Sequence, residues 1–439
     1  MANFTFRGGI HPYDGKELTK DKPVKVFKPE GELIFPLSQH IGAPAKAVVK
    51  RGDRVLAGQK IGEPGGFVSA PVFSSISGIV KKIEPHLTVT GAMVESIFVE
   101  NDGLYERVPV PEKRALKDLS GEEILARVRE AGVVGMGGAG FPTHVKLAPK
   151  DPDKIDYVLV NGAECEPYLT SDYRRMMDEP EQVIEGLRVI LKLFPGARGY
   201  ICVEDNKMDC VERLRNLLLN DPRIGVKVMK TKYPQGAERM MIAAATGREI
   251  NSSQLPADAG CIVDNVETVA AIYRAVIEGE PMLEKTVTVT GDGIQEPGNF
   301  KVPLGTDFAS IIEAAGGLKG SPEKIIAGGP MMGNALFDLH VPVTKTTSAI
   351  LCMEKDEVSH KEMTACINCG RCVSACPEHL LPARLADFAL RHDEERFAAF
   401  DGLECCECGC CNYVCPAGRM LTQWIKSMRR LVLASRKKK

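Results

Sequence analysis

Two runs of cysteine carry the first readable chemistry. In ACINCGRCVSACP, residues Cys366, Cys369, Cys372 and Cys376 fit C-x2-C-x2-C-x3-C, and Pro377 follows. In LECCECGCCNYVCP, residues Cys405, Cys408, Cys411 and Cys415 fit the same template, and Pro416 follows. One template used twice is the signature of a two-cluster, bacterial-ferredoxin-type module. Three cysteines two residues apart on a tight loop reach three corners of one [4Fe–4S] cube, and the fourth reaches the other cube. The spacing therefore predicts Cys366, Cys369, Cys372 and Cys415 around one cluster, and Cys405, Cys408, Cys411 and Cys376 around the second. Soft thiolates suit iron–sulfur iron. Structural zinc sites instead show two CxxC pairs, with neither a third cysteine at that interval nor a trailing proline. Cys406 and Cys410 are spare by register and are expected as small buried thiols beside the cluster loop.

A second constellation is Gly135-Met-Gly137-Gly138-Ala-Gly140. Gly135, Gly137 and Gly140 satisfy G-x-G-x-x-G, but a dinucleotide fingerprint must follow a strand and open a helix. Here the loop follows a predicted helix: Ser120 and Glu123 form a capping box and Gly132 a stop. The strand-like DYVLVNG comes after it. The Rossmann reading is rejected. Four glycines in six residues still bring backbone amides close to a ligand, and a phosphate fits, with Lys146 as a countercharge. Farther on, an apolar strand ends at Asn161, where Glu164 and Glu166 flank Cys165. Strand ends are where α/β sheets place ligand sites.

The chain has 439 residues, 44% of them hydrophobic, enough for two to four domains. Its net charge of −2 gives no basic excess to hold nucleic acid. No stretch nears the ~18 apolar residues of a spanning helix, and the start lacks a secretory pattern. A cytoplasmic chain that meets a membrane through partners is expected. Fifteen cysteines in such a chain point to metal or redox chemistry and not to disulfides. Cys202, Cys210, Cys261 and Cys352 have no ligand spacing and read as buried hydrophobes.

The elements that must position these groups follow from pattern. Residues 30–105 show short alternating runs, an all-β signal. Residues 283–345 begin with a hairpin and a short amphipathic helix, a β-grasp pattern; IIAGGPMMGNAL within them is read as a structural turn. LLPARLADFALRHDEERFAAF is expected as a helix or helix pair on the cluster core, and MLTQWIKSMRRLVLAS as a helix with Leu421 and Trp424 inward. Residues 1–29 form an N-terminal segment, 106–282 an α/β domain, 346–432 the cluster domain and 433–439 a basic tail.

GMGGAGFPTHVKL resembles the flavin loop of the NADH-binding flavoprotein subunit of respiratory complex I. NGAECEPYLT, YPQGAERMM and DNVETVA resemble its later flavin and NADH segments, in the same order. With FRGGIHPYDGK and the duplicated cysteine runs, nearly the whole chain resembles the RnfC family, a component of the Rnf electron-transport complex. The resemblance implies an FMN held by Gly135, Gly137, Gly138, Gly140, Phe141 and Thr143, with Lys146, Asn161, Asn265 and Thr268 at further flavin-contact positions. It places Phe141, Glu164, Glu166 and Glu238 near NAD(H), with Glu164 and Glu166 at the reacting centre, and Cys165 close to the flavin. Ala163 and Ala237 stand where the complex I protein has acidic residues.

The implied fold is multidomain α+β. A lipoyl-like β-sandwich hybrid lacks the carrier lysine on its EPGGFVS hairpin. It is followed by an α/β flavin domain, a β-grasp SLBB domain and a two-cluster ferredoxin-like helical domain. The implied function is the cytoplasmic-face NAD(H) subunit of an ion-translocating ferredoxin:NAD+ oxidoreductase. It would exchange hydride between NAD(H) and FMN and pass single electrons through two [4Fe–4S] clusters. The partners implied are an iron–sulfur subunit, membrane subunits and, indirectly, ferredoxin. Two alternatives are a microcompartment cobalamin reductase with the same cofactors and an electron relay without an NADH site.

Overall fold

In the computed structural model, residues 4–138 and 140–437 are described. Strands Glu32–Pro36, Met93–Asn101, Gly78–Leu87 and Arg54–Val55 lie side by side in that order as one antiparallel sheet. Strands Lys46–Ala47, Lys60–Glu63 and Val72–Phe73 form a smaller sheet. Alternating inward residues such as Leu33, Phe35, Ile61, Val80, Ile97 and Val99 fill the space between them. This is the sandwich that period-2 patterning requires.

The flavin-type domain is built on four parallel strands in the order Ile224–Met229, Arg198–Glu204, Tyr157–Gly162 and Cys261–Asn265. Helices cover both faces. Pro180–Leu193 and Val266–Tyr273 pack with Val158, Val160 and Ile201. Glu238–Thr246 packs with Leu159, Cys202 and Met229 on the other side. A parallel sheet buried on both faces explains the unbroken apolar run in YVLV.

The third sheet reaches farther along the chain than its expected limits. Its order is Val24–Val26, Gly298–Pro303, Glu284–Thr290, Ala349–Met353, Lys324–Ala327 and Asn334–Ala335, with helix Phe308–Ala314 beside it. Val24–Val26, from the N-terminal segment, adds a parallel edge strand. Ala349–Met353 is an interior strand paired on both sides, so the β-grasp sheet continues past residue 345 into the stretch assigned to the cluster domain. Strand Ala349–Met353 has four fully buried residues, as an interior strand demands.

The last unit is helical. Pro382–Leu390 and Glu394–Ala399 form the expected helix pair and pack on Leu421–Lys437 through Leu385, Phe397, Ile425 and Met428. Leu421 is buried and Trp424 half-buried. The helix runs on to Lys437, so residues 433–437 are its last turn and not a separate tail. Among the described residues, no helix is long and apolar enough to cross a membrane.

Candidate functional site

The glycine loop is held in place from below. Ser120 and Glu123 exchange their capping bonds (3.2 and 2.7 Å), and Gly132, at φ 70°, ends the helix. Gly135 N–H donates to Phe141 O at 2.9 Å, closing the loop at its base. Met136 N–H donates to Thr268 Oγ1 at 2.9 Å. Gly137 lies against Asn265: an added Cβ would stand 2.9 Å from the Asn265 Cβ. Gly138 faces open space. Gly140, at φ 71°, passes so close to Thr346 and His40 that a side chain would collide.

Asn265 and Asn161 are register partners at the carboxyl ends of neighbouring parallel strands, the place where α/β sheets bind ligands. Asn161 Nδ2 donates to Gly236 O (2.7 Å), and Asn265 Nδ2 to Asp172 Oδ2 (2.6 Å). Above them opens a cleft of about 820 Å3, at the upper end of small-molecule and cofactor sites. Its walls include Gly137, Gly138, Asn161, Glu164, Glu166 and Asn265, six of the residues singled out in the sequence.

Other expected residues stand behind that wall. Gly135, Gly140, Phe141, Thr143 and Thr268 shape or support the loop. Thr143 Oγ1 is buried with no hydrogen-bond partner among the described residues. Lys146 is not poised over the loop. Its Nζ bonds Val263 O (2.7 Å) and pairs with Asp264 (3.2 Å) and Glu238 (3.8 Å). Burial works against its charge, but these two carboxylates outweigh that and raise its pKa. Glu238 is exposed and outside the cleft lining.

The two carboxylates expected at the reacting centre are already engaged. Glu164, at φ 46°, accepts from Asp172 N (2.7 Å) and Tyr173 N (3.3 Å), at the start of helix Ser171–Asp178. Lys16 lies 3.9 Å away; burial pushes the carboxyl of Glu164 up and Lys16 pulls it back. Glu166 accepts from Met331 N (2.7 Å) and Met332 N (3.1 Å); burial raises its pKa and these amides lower it. Backbone N–H groups hold both side chains within the cleft wall. Of the two alanine positions, Ala163 is fully buried under the sheet, whereas Ala237 lines the cleft.

Several walls were not foreseen. Ser38 to Ile41 and Thr88 to Thr90 come from the sandwich, and Gly328, Gly329 and Met332 from the β-grasp loop read as a structural turn. Lys285 and Asp172, both buried, also line the cleft. The glycines of GGPMMG were the available signal: a Cβ on Gly329 would come 2.1 Å from Glu166 Cγ.

The cysteine runs fold against each other. Cys376, Cys405, Cys408 and Cys411, the four expected for one cluster, line a single tight cavity of about 20 Å3, with spare Cys406 and Cys410 in its wall. Cys366 and Cys369 are exposed, and Cys372 and Cys415 half-buried, with the Arg419 guanidinium beside Cys366. Among the described residues, no group of three His, Cys, Asp or Glu closes on one point to take a single metal ion. Thiols set around a cube stand farther apart than ligands of one ion. Arg239, at the start of helix Glu238–Thr246, bonds Glu378 (3.1 Å) and Glu404 (3.0 Å), which flank Cys376 and Cys405. The soft donor set fits iron–sulfur clusters. The glycine-walled cleft, with the orphaned Thr143 hydroxyl behind its loop, fits a phosphate-bearing flavin.

Four family models match in order: the RnfC barrel sandwich hybrid domain over residues 4–104, the Nuo51 FMN-binding domain over 128–274, the SLBB domain over 286–335 and the 4Fe-4S dicluster domain over 365–419. Fold and site thus define a flavin- and iron–sulfur-bearing electron-transfer protein. The RnfC component of the Na(+)-translocating ferredoxin:NAD(+) oxidoreductase complex of Acetobacterium woodii is 44% identical over 99% of this chain and 98% of its own length. The proton-translocating counterpart of Clostridium ljungdahlii is 44% identical over 87% of this chain and 84% of its own length. The chain belongs to this RnfC family. A crystal structure of NAD+-reducing [NiFe]-hydrogenase in the H2-reduced state shares the fold, with a TM-score of 0.50 and 19% identity over 74% of this chain and 63% of that one.

Proposed function

We propose that this chain is the NAD(H)-handling subunit of an Rnf-type, ion-translocating ferredoxin:NAD+ oxidoreductase. The observation that carries the reading is the adjacency of a glycine-walled cleft and a cysteine-walled cavity in one chain: Tyr233 lines the cleft and bonds the carbonyl of Cys408, which lines the cavity. A bound flavin would supply two-electron hydride chemistry with NADH and one-electron exchange with the clusters, each of which would carry one electron.

The chain's own groups bind and orient. Gly137 and Gly138 present backbone to the cleft, Thr268 fixes the amide of Met136, and Asn161 and Asn265 form the cleft floor. Glu164 and Glu166 act as positioning residues: one caps helix Ser171–Asp178, the other ties down the Met331–Met332 loop that covers the cleft. The sandwich and the β-grasp loop narrow access to water. Cys376, Cys405, Cys408 and Cys411 hold the inner cluster. Cys366, Cys369, Cys372 and Cys415 hold the outer one, whose exposed thiols face an iron–sulfur partner subunit. Membrane attachment on the cytoplasmic face runs through the other subunits.

The test is anaerobic purification of the full chain, quantification of iron, sulfide and flavin, and titration with NADH. About eight irons, two cubes of four, with one FMN bleached by NADH are expected. About four irons sink the two-cluster reading. A flavin that NADH leaves unbleached sinks the NADH site and leaves an electron relay. Reduction of cob(III)alamin in preference to a ferredoxin-linked acceptor would move the chain to the cobalamin reductases.

A further inference from the structure

Tyr233 is where the cleft and the cysteine cavity meet. Its side chain is 1% exposed and lines the cleft, and its hydroxyl donates to Cys408 O at 2.8 Å. Its own carbonyl accepts from Ile10 N (2.8 Å) and from Cys410 Sγ (3.8 Å). Phenol and carbonyl therefore both grip the second cysteine run. Cys165 on the cleft side, and Cys408 and Cys410 on the cavity side, belong to the same packed group around this ring.

The bond to Cys408 has a geometric consequence. A trans peptide points its C=O and the following N–H in opposite directions. Fixing Cys408 O on Tyr233 therefore aims Gly409 N–H away from the phenol, and Gly409, at φ 81°, lines the cavity. Backbone N–H groups aimed at cluster sulfur raise a cluster's reduction potential. No comparable anchor from the flavin-type domain is seen among the described residues at Cys366 and Cys369, which are exposed.

We propose that Tyr233 is a positioning residue that sets the Cys408–Gly409 peptide, makes the cluster of Cys376, Cys405, Cys408 and Cys411 the centre next to the cleft, and raises its potential. The proposal rests on the function given above. NADH yields NAD+, one proton and two electrons. Each electron takes one oxidised cube to its one-electron-reduced form, and the proton goes to water.

The experiment uses the full chain with Tyr233→Phe, and a Cys369→Ser variant to assign the outer centre's EPR signal. Each centre's midpoint potential is measured in a dithionite redox titration, and NADH-driven flavin bleaching and cluster reduction are followed by stopped flow. In Tyr233→Phe the inner centre's midpoint is expected to fall while the outer stays at its wild-type value. Cluster reduction slows relative to flavin bleaching by about an order of magnitude. Loss of about four irons with the outer signal retained supports the same assignment. Two unchanged midpoints overturn it, as does a shift confined to the signal that Cys369→Ser removes. NADH failing to bleach the wild-type flavin would count against the proposed function alone, because the dithionite titration decides the role of Tyr233 independently.

Discussion

Asn161 and Asn265 sit side by side across a parallel ladder, yet their amides reach in different directions, one to Gly236 and the other to Asp172. Asn265 also accepts from Glu267 N at 2.9 Å and so caps helix Val266–Tyr273. Replacing it by Ala removes the cap, at about 1 kcal/mol, and the carboxamide that lies beside Gly137. Asn265→Ala is expected to remain folded while its flavin-to-protein ratio falls severalfold after gel filtration. Full flavin retention would show that Asn265 does not shape the binding loop.

Lys345 is buried where three units meet, its Nζ bonding Pro71 O (2.7 Å) and Gly132 O (2.8 Å). Burial lowers its pKa from 10.5 to about 7. The unfolded chain then holds more protons between these values, so stability rises with pH across that window, by up to about 1.4 kcal/mol per unit. Below the lower value both states are protonated and the slope vanishes. Denaturant titrations from pH 6 to about 9 should show this slope in the wild type and a flatter profile in Lys345→Met.

Arg175 meets Glu267 with a two-point pair at 2.6 and 3.0 Å, both side chains buried. Burial works against the Glu267 charge, but Arg175 first, then Lys285 and Arg274, outweigh it and bring its pKa down from 4.5 to about 2. Its stabilisation is complete above the higher value and is lost as pH falls toward the lower. Glu267→Gln leaves the buried Arg175 paired only with the more exposed Glu179 and should cost up to about 3 kcal/mol. The acid-unfolding curve of the variant should lose that part of its steepness.

Gly329→Ala would drive a methyl group into Glu166. The bond from Met331 N should break, loosening the loop over the cleft. Hydrogen exchange at Met331 and Met332 should accelerate while the parallel sheet keeps its protection. Unchanged exchange would mean that Glu166 moves aside without cost.

What could be read from sequence was what lies close along the chain. The cysteine template, the glycine loop and the Ser120–Glu123 cap each fit within a few turns of backbone, and their chemistry is written in spacing. The cleft was only half visible, because His40 and Thr88 of the sandwich, Gly329 of the β-grasp unit and Tyr233 of the flavin-type domain reach it from three units. No local pattern links Tyr233 to Cys408. Glu164 and Glu166 were legible as acids at a strand end, but the backbone amides that fix them, those of Asp172 and Tyr173 and those of the distant Met331–Met332 loop, were not. Likewise, Ala349–Met353 looked like the approach to the cysteines, and only its pairing on both sides places it inside the β-grasp sheet.

The edge strand Val24–Val26 also bears on how the protein is made. Lys22, just before it, reaches the carbonyl of Pro297 at a separation of 275 positions. With translation at about 5–20 residues per second, this stretch leaves the ribosome on the order of tens of seconds ahead of its strand partner. Until then it is an open edge, able to pair with another nascent chain. Closing the third sheet is thus a late event in biogenesis, and a chaperone that shields the first emerging residues would have its greatest effect during that wait.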